Sequence, residues 1–250
     1  MNEIEDLLEL SKDLILKGLT ILKNFSASDK EQFILSKKIP NEIKSNVDIS
    51  LDKFIVNELI KTKISILSEE SGYIEGSKHK NLKFIVDPLD GTVNFLRNLG
   101  SCSISIALFD RGNPVFGVIA TYPEQDLFWG GKDFFSFKNN KKIKVSSFKN
   151  KSIICSGIPS RFLKNKKNWL EYEYVFEKFL KVRMLGAASI SLLKVAMGSA
   201  EMYFEKNIMI WDVAAGLAIV EGSGGNISFV STKTQNCFDV KATNGLIKDE

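Results

Sequence analysis

Histidine and cysteine are nearly missing: the 250 residues hold one His and three Cys. Cys102, Cys155 and Cys237 are odd in number, far apart and form no CxxC pair. That excludes a zinc cluster and a disulfide framework, and suits reduced thiols in a cytoplasm. Long apolar runs are missing too. No stretch approaches the roughly 18 residues that span a bilayer, and the N-terminus, Met1-Asn2-Glu3-Ile4-Glu5-Asp6, is acidic where a secretory signal is basic. A cytoplasmic protein with no membrane contact is expected. Charge of one sign is scarce: 34 Lys+Arg stand against 30 Asp+Glu, a formal +4. No arginine-rich stripe is interleaved with aromatics, so no nucleic-acid partner is expected, and the runs Lys138–Lys144 and Lys164–Asn168 read as solvated loops. Internal repeats and low-complexity linkers are absent.

What is present is an ordinary globular composition, 44% hydrophobic and 26% charged, with enough chain for one large or two intimate small domains. Ile4–Leu22 carries apolar residues at helical spacing, with acids early and lysines late, and predicts an amphipathic helix. A second helix is expected from about Leu51 to Lys61; if it begins earlier, Asp48 and Asp52 share a face and repel. Leu82–Val86 reads as a short buried strand that ends at Asp87. Ser101–Phe109, Pro114–Tyr122 and Asp126–Trp129 predict an antiparallel meander, with turns at Arg111-Gly112-Asn113 and Gly130-Gly131 and two more strands flanking Asn139-Asn140. Beyond about Val145, strands alternate with helices: Ser152–Ser156, a helix near Trp169–Leu180, Val182–Met184, a helix near Ser189–Met197, Glu201–Phe204, and a helix over Asp212–Val220. Two layered halves follow, residues 1–147 as α+β with an antiparallel sheet and residues 148–250 as α/β.

Phe84–Phe95 (FIVDPLDGTVNF) is the most informative stretch. A hydrophobic strand delivers Asp87, Pro88 stiffens the turn, Asp90 follows, and Gly91 lets the backbone approach a ligand before a helix begins. Carboxylates suit hard divalent cations and a helix start suits a phosphate; a plain Asp-Pro and Asp-Gly turn is the alternative. Two further acidic clusters lack a structural reason. Glu69-Glu70 follows the apolar run Ile64–Leu67, and Asp212 follows Trp211 at the head of an almost wholly apolar helix. Asp212 reads as an N-cap, which does not exclude a carboxylate aimed at a metal. If Asp48, Asp52, Glu69, Glu70, Asp87, Asp90 and Asp212 converge, such crowded charges require cations. An all-oxygen donor set, with His79 in a polar loop, points to two or more Mg²⁺ rather than zinc.

Asp87–Phe95 (DPLDGTVNF), Trp211–Gly225 (WDVAAGLAIVEGSGG) and Ser68–Gly72 (SEESG) resemble, in order and spacing, the three signatures of the inositol monophosphatase family. That family is part of the Mg²⁺-dependent, lithium-sensitive phosphatase superfamily that includes fructose-1,6-bisphosphatases, and the resemblance covers nearly the whole chain. It implies a layered αβαβα sandwich of the sugar-phosphatase kind, a homodimer, and two or three Mg²⁺ per site. By position, Glu69, Asp87 and the Leu89 carbonyl would hold one ion, Asp87, Asp90 and Asp212 a second, with a weaker third near Glu69 and Glu70. Gly91 and Thr92 would bind phosphate through backbone N–H groups, and the Thr92 hydroxyl with Glu69 would orient the attacking water. Asp52 is similar to the family's upstream acid that hydrogen-bonds Thr92 or assists the outer metal shell; the role of Asp48 is open. The implied chemistry is in-line attack on phosphorus by a metal-activated water, without a covalent phosphoenzyme.

Gly186, Ala187, Ala188 and Glu205 match positions where family members touch the hydroxyls of a cyclitol or sugar, with Asp90 reaching the same hydroxyls. Arg183 reads equally as the holder of a second phosphate or as a structural ion-pair residue. Asn94-Phe95 is similar to the inositol-phosphatase branch, whereas Val47–Leu59 (VDISLDKFIVNEL) looks more like the bisphosphatase branch and Glu221–Gly225 departs from the usual Glu-Ala-Gly-Gly. The expected function is hydrolysis of a small polyol or sugar phosphate, inositol monophosphate by default. The alternatives are fructose-1,6-bisphosphatase or 3′-phosphoadenosine 5′-phosphate phosphatase activity and, from another class, a non-catalytic regulatory or binding protein on the same scaffold.

Overall fold

The structure, a computed structural model, describes residues 3–25, 33–35, 43–160, 162 and 165–247; Lys164 of the second Lys/Asn run lies outside them. Helix α1 (Glu3–Lys23) opens with Glu3, Glu5 and Asp6 and closes on Lys23, matching the helix dipole. It turns Leu7, Leu8, Leu14, Ile15, Leu19 and Leu22 inward at three- and four-residue steps. Burying each such side chain contributes roughly 1.5–3 kcal/mol of transfer free energy. An antiparallel pair, β1 (Phe33–Leu35) and β2 (Ile43–Ser45), leads into α2 (Asn46–Leu59). This helix starts at Asn46 rather than near Leu51 because Ser45 and Asp48 form a capping box, each side chain bonding the other's backbone N–H.

The first sheet holds β3 (Ser65–Ser68), β4 (Gly72–Ile74), β5 (Leu82–Asp90), β6 (Cys102–Asp110), β7 (Asn113–Tyr122), β8 (Leu127–Gly131), β9 (Phe135–Lys138) and β10 (Lys141–Lys142). Its strand order is β10-β9-β8-β7-β6-β5-β3-β4, antiparallel except for β3 beside β5. Two expectations change here. β5 does not stop at Val86 but continues through the aspartates to Asp90. Gly130 and Gly131 end β8 rather than making a turn, because a side chain at either would meet backbone oxygens, of Phe135 at 2.5 Å and Val115 at 2.1 Å. A short helix, α3 (Thr92–Leu96), follows β5.

The second sheet holds β11 (Ile153–Ser156), β12 (Lys181–Met184), β13 (Met202–Met209), β14 (Asn226–Ser231) and β15 (Cys237–Thr243), in the order β12-β11-β13-β15-β14. β11 is parallel to both neighbours; β13, β15 and β14 are antiparallel. The polar alternation of β14 and β15 hides them from a hydrophobic reading. Helix α4 (Lys166–Phe176) begins earlier than periodicity implied because Asn165 caps it, accepting the Asn168 N–H at 2.9 Å. The remaining α-helices are α5 (Ala188–Ala196) and α6 (Ile210–Gly222).

The layers are α1 and α2, the first sheet, α5 and α6, the second sheet, and α4, whose Tyr172 and Phe176 cover the outer side of the second sheet near Phe204. This is the αβαβα sandwich. Helix α6 is apolar all round because it is buried all round, and it presses so closely on β7 that a Cβ at Gly117 would lie 2.2 Å from the Ala215 carbonyl oxygen. One core lies between α1, α2 and the first sheet, and the other joins both sheets around α5 and α6. All three cysteines are buried, and no disulfide joins them. Among the described residues no helix is long and apolar enough to cross a membrane, and His79 lies at the surface, 3.0 Å from Glu3.

Candidate active site

The site begins with an irregularity in β5. Asp87 pairs with Ser105 and Asp90 with Ser103, three steps on one strand against two on the other. The extra residue brings both carboxylates to one side, where strict alternation would have sent them to opposite faces. Pro88, which has no N–H to offer the ladder, sits in this bulge. Asp87 Oδ1 accepts the Leu89 N–H at 3.0 Å, while Asp87 Oδ2 is buried with no hydrogen-bond partner. Gly91, at φ +85°, turns the chain into α3; a Cβ there would lie 3.0 Å from the Ser101 carbonyl oxygen and 3.2 Å from the Ala187 Cβ.

Asp90 reaches across to the other half. Its Oδ2 accepts the Ser189 N–H at 2.7 Å and the Ser189 hydroxyl, so it caps α5, whose own N-cap residue Ala187 has no side-chain bond to give. Asn94 ties the same seam: its Nδ2 donates to the carbonyls of Ser101 at 2.9 Å and Leu185 at 2.8 Å. Asp212 is not the N-cap of α6. Met209 occupies that position without a side-chain bond, and Asp212 lies in the first turn with its carboxylate turned to the cleft. Oxygens of Glu69, Asp87 and Asp212 all lie within 4.8 Å of one another.

The two acids of α2 take separate tasks. Asp52, buried, accepts the hydroxyls of Ser68 and Ser71 on its two oxygens, clamping the loop that carries Glu69 and Glu70. Of the two roles expected of Asp52, bonding Thr92 or supporting the outer metal shell, the first belongs to Asp48 instead: the Thr92 hydroxyl donates to Asp48 Oδ1 at 2.8 Å, with the Leu89 carbonyl 3.1 Å away as a second acceptor. The early start of α2 causes this, because the capping box holds Asp48 Oδ2 on Ser45 and leaves Oδ1 for Thr92.

These groups surround a cleft of about 390 Å³. It is lined by Glu69, Asp90, Gly91, Thr92 and Asp212, by Gly186, Ala187, Ala188 and Glu205, and by apolar residues that include Val93, Ile158, Ile208, Met209 and Trp211. No Lys, Arg or His lines it among the described residues. Arg183 stands on β12, exposed, its Nη1 bonded to the Val182 carbonyl at 2.9 Å; it reaches no cleft wall and forms no ion pair among the described residues. Leu89 is buried.

Charge crowding dominates the electrostatics. Burial, then Glu69, Asp90 and Asp212, holds the Asp87 carboxyl well above the usual carboxylate range. Asp212 is raised in the same way by burial, Glu69 and Asp90. Burial lifts Asp90 to about 6 against the lowering effect of the Ser189 bonds. It lifts Asp48 to about 6 against Ser45 and Thr92, with Glu70 adding to the rise. Glu205 goes to about 8 through burial, although the Tyr203 hydroxyl donates to it at 2.9 Å. An all-oxygen, charge-crowded cluster of this kind fits a hard divalent cation, which removes the repulsion and satisfies Asp87 Oδ2.

A model of the inositol monophosphatase family matches residues 4–249. The chain belongs to that family. An inositol-1-monophosphatase of Caulobacter vibrioides is 33% identical over 209 residues, covering 78% of this chain and 79% of the relative. A fructose-1,6-bisphosphatase/inositol-1-monophosphatase of Aquifex aeolicus is 30% identical over 237 residues, covering 92% and 88%. The crystal structure of the extragenic suppressor protein suhB from Bartonella henselae superposes with a TM-score of 0.81 at 30% identity, covering 94% of this chain and 92% of that one. The family implies metal-dependent catalysis, and the acidic cluster stands where its signatures converge. Ser189 joins the site from outside the three signatures, and the tasks of Ser68, Ser71 and Asn94, which lie within them, become visible only in the structure. Ser68 and Ser71 were signalled by flanking Glu69-Glu70; Ser189, distant in sequence from Asp90, had no local signal.

Proposed function

We propose that this protein is a Mg²⁺-dependent phosphomonoesterase acting on a small polyol or sugar phosphate, with inositol monophosphate as its first substrate. The observation that carries the reading is the approach of Glu69, Asp87 and Asp212 oxygens to within 4.8 Å around an unpartnered Asp87 Oδ2. Glu69, Asp87, the Leu89 carbonyl, Asp90 and Asp212, with Glu70 nearby, would hold two or three Mg²⁺. When bound, the cations neutralise phosphoryl charge and acidify the attacking water. The protein's own groups do the rest. Thr92 has one hydroxyl proton and gives it to Asp48 or to the Leu89 carbonyl, so towards the cleft it can only accept. Thr92 Oγ1 and Glu69 therefore accept hydrogen bonds from the attacking water and aim its lone pair at phosphorus. The N–H groups of Gly91 and Thr92 bind the phosphate oxygens.

Asp90, Glu205 and the Gly186-Ala187-Ala188 segment take the hydroxyls of the leaving alcohol. The same reading takes the enzyme as a cytoplasmic homodimer, with residues 1–147 supplying most of the carboxylates and residues 148–250 supplying Asp212 and the substrate wall. A second activity, on a sugar bisphosphate, is favoured by the double name of the Aquifex relative. A panel of inositol 1-phosphate, fructose 1,6-bisphosphate and 3′-phosphoadenosine 5′-phosphate in Mg²⁺, with and without millimolar lithium, tests the proposal. Release of phosphate from the inositol ester, inhibited by lithium, supports it; no release from any of the three favours the non-catalytic alternative.

A further inference from the structure

Behind Asp90 lies a chain of two hydroxyls that belongs to none of the three family signatures. Ser189 is buried in the first turn of α5, and Ser103 is buried on β6 directly opposite Asp90 in the ladder. The Ser189 Oγ bonds Asp90 Oδ2, and the Ser103 Oγ lies 2.7 Å from the Ser189 Oγ. Proton counting fixes the direction. An ionised carboxylate only accepts, so Ser189 spends its single hydroxyl proton on Asp90, and Ser103 must donate to Ser189. With the Ser189 N–H at 2.7 Å as well, Oδ2 of Asp90 receives two donors from one residue of the opposite half of the molecule. The Ser189 bonds hold the carboxylate in one orientation, and the backbone N–H groups of Ala188 and Gly91 add to its support.

We propose that Ser189, backed by Ser103, is a positioning residue for Asp90: it sets the orientation in which the carboxylate meets the cation site and so tunes Mg²⁺ affinity. This rests on the reading that Asp90 is a cation ligand. The partners that orient a ligand typically contribute 10- to 100-fold in metal affinity, and losing the hydroxyl bond while the N–H bond remains places the effect at the low end. Ser191 supplies the control. It is equally buried on the same helix, but its hydroxyl goes to the Ala187 carbonyl at 2.9 Å.

The experiment is a Mg²⁺ titration followed by thermal shift, without substrate, on full-length wild type, Ser189→Ala, Ser103→Ala and Ser191→Ala. The Mg²⁺ concentration giving half of the maximal shift is expected to rise about 10-fold in Ser189→Ala, to rise by a smaller factor in Ser103→Ala, and to stay within twofold of wild type in Ser191→Ala. A Ser189→Ala protein whose metal-free melting temperature falls but whose Mg²⁺ midpoint matches wild type overturns the proposal, since that is the signature of a purely structural serine. If Ser189→Ala does not fold, Ser103→Ala decides, and an unchanged midpoint there overturns it. A wild type with no Mg²⁺ response contradicts the reading of the site itself rather than the role of Ser189.

Discussion

The Thr92 hydroxyl donates to Asp48 Oδ1 at 2.8 Å, across 44 residues of chain, while Asp52, one helical turn further along α2, is turned to Ser68 and Ser71. Two aspartates on one helix thus hold two different parts of the site. Asp48 sets the proton direction of Thr92, and Asp52 sets the position of the glutamate loop.

Replacing them should therefore give different defects. In Asp48→Asn, the amide keeps its oxygen on the Ser45 N–H and turns its NH₂ towards Thr92, so the Thr92 hydroxyl loses its charged acceptor and is held only by the weaker bond to the Leu89 carbonyl. We expect kcat to fall about 10- to 100-fold with little change in the Mg²⁺ midpoint, and a stability loss of about 1 kcal/mol from the weakened capping box. Asp52→Asn should raise the Mg²⁺ midpoint instead. Steady-state kinetics and thermal-shift titrations on both variants check the split.

Asp87→Asn should change sign with conditions. Without metal, the wild type crowds a buried carboxyl against Glu69, Asp90 and Asp212, and a neutral amide there removes that repulsion, so the variant is expected to be more stable than the wild type. With Mg²⁺, the variant should gain nothing, whereas the wild type gains stability. Denaturant unfolding in EDTA and in Mg²⁺ measures both.

Stability of the metal-free protein should fall as pH rises. Asp48 and Asp90 are raised to about 6 and Glu205 to about 8, so between the ordinary carboxylate range near 4 and these values the folded state holds more protons than the unfolded state. The stability is fully present below pH 4 as far as these groups go, and is lost as pH climbs through 6 and then 8. Unfolding midpoints in EDTA should be lower at pH 8.5 than at pH 5, and saturating Mg²⁺ should shrink or reverse the difference, because cations bind the ionised form.

Gly91→Ala should cost both stability and turnover. The residue sits at φ +85° with a Cβ position 3.0 Å from the Ser101 oxygen, so strain and contact together are expected to cost roughly 1–3 kcal/mol, and the shifted N–H should lower kcat/KM. A melting temperature equal to wild type would contradict the geometry.

The parts of the site that sequence made legible are those whose geometry is local. Asp87, Asp90, Gly91 and Thr92 follow one another at a strand end, and Asp212 heads a helix whose burial is written in its composition. What escaped depends on distant chain. Which of Asp48 and Asp52 meets Thr92 turns on a helix start set by the Ser45 capping box, and the bulge that aligns Asp87 with Asp90 is visible only against the register of β6. Gly130 and Gly131 read as a turn because their reason, contact with neighbouring strands, lies outside the local sequence.

The most direct test of the central claim is phosphate release from inositol 1-phosphate in Mg²⁺ by the wild type, Asp87→Asn and Asp212→Asn, each shown to be folded. The carboxylate cluster predicts turnover in the wild type that requires Mg²⁺ and falls to background in both variants. Release that persists in EDTA, or that survives either substitution, would contradict it.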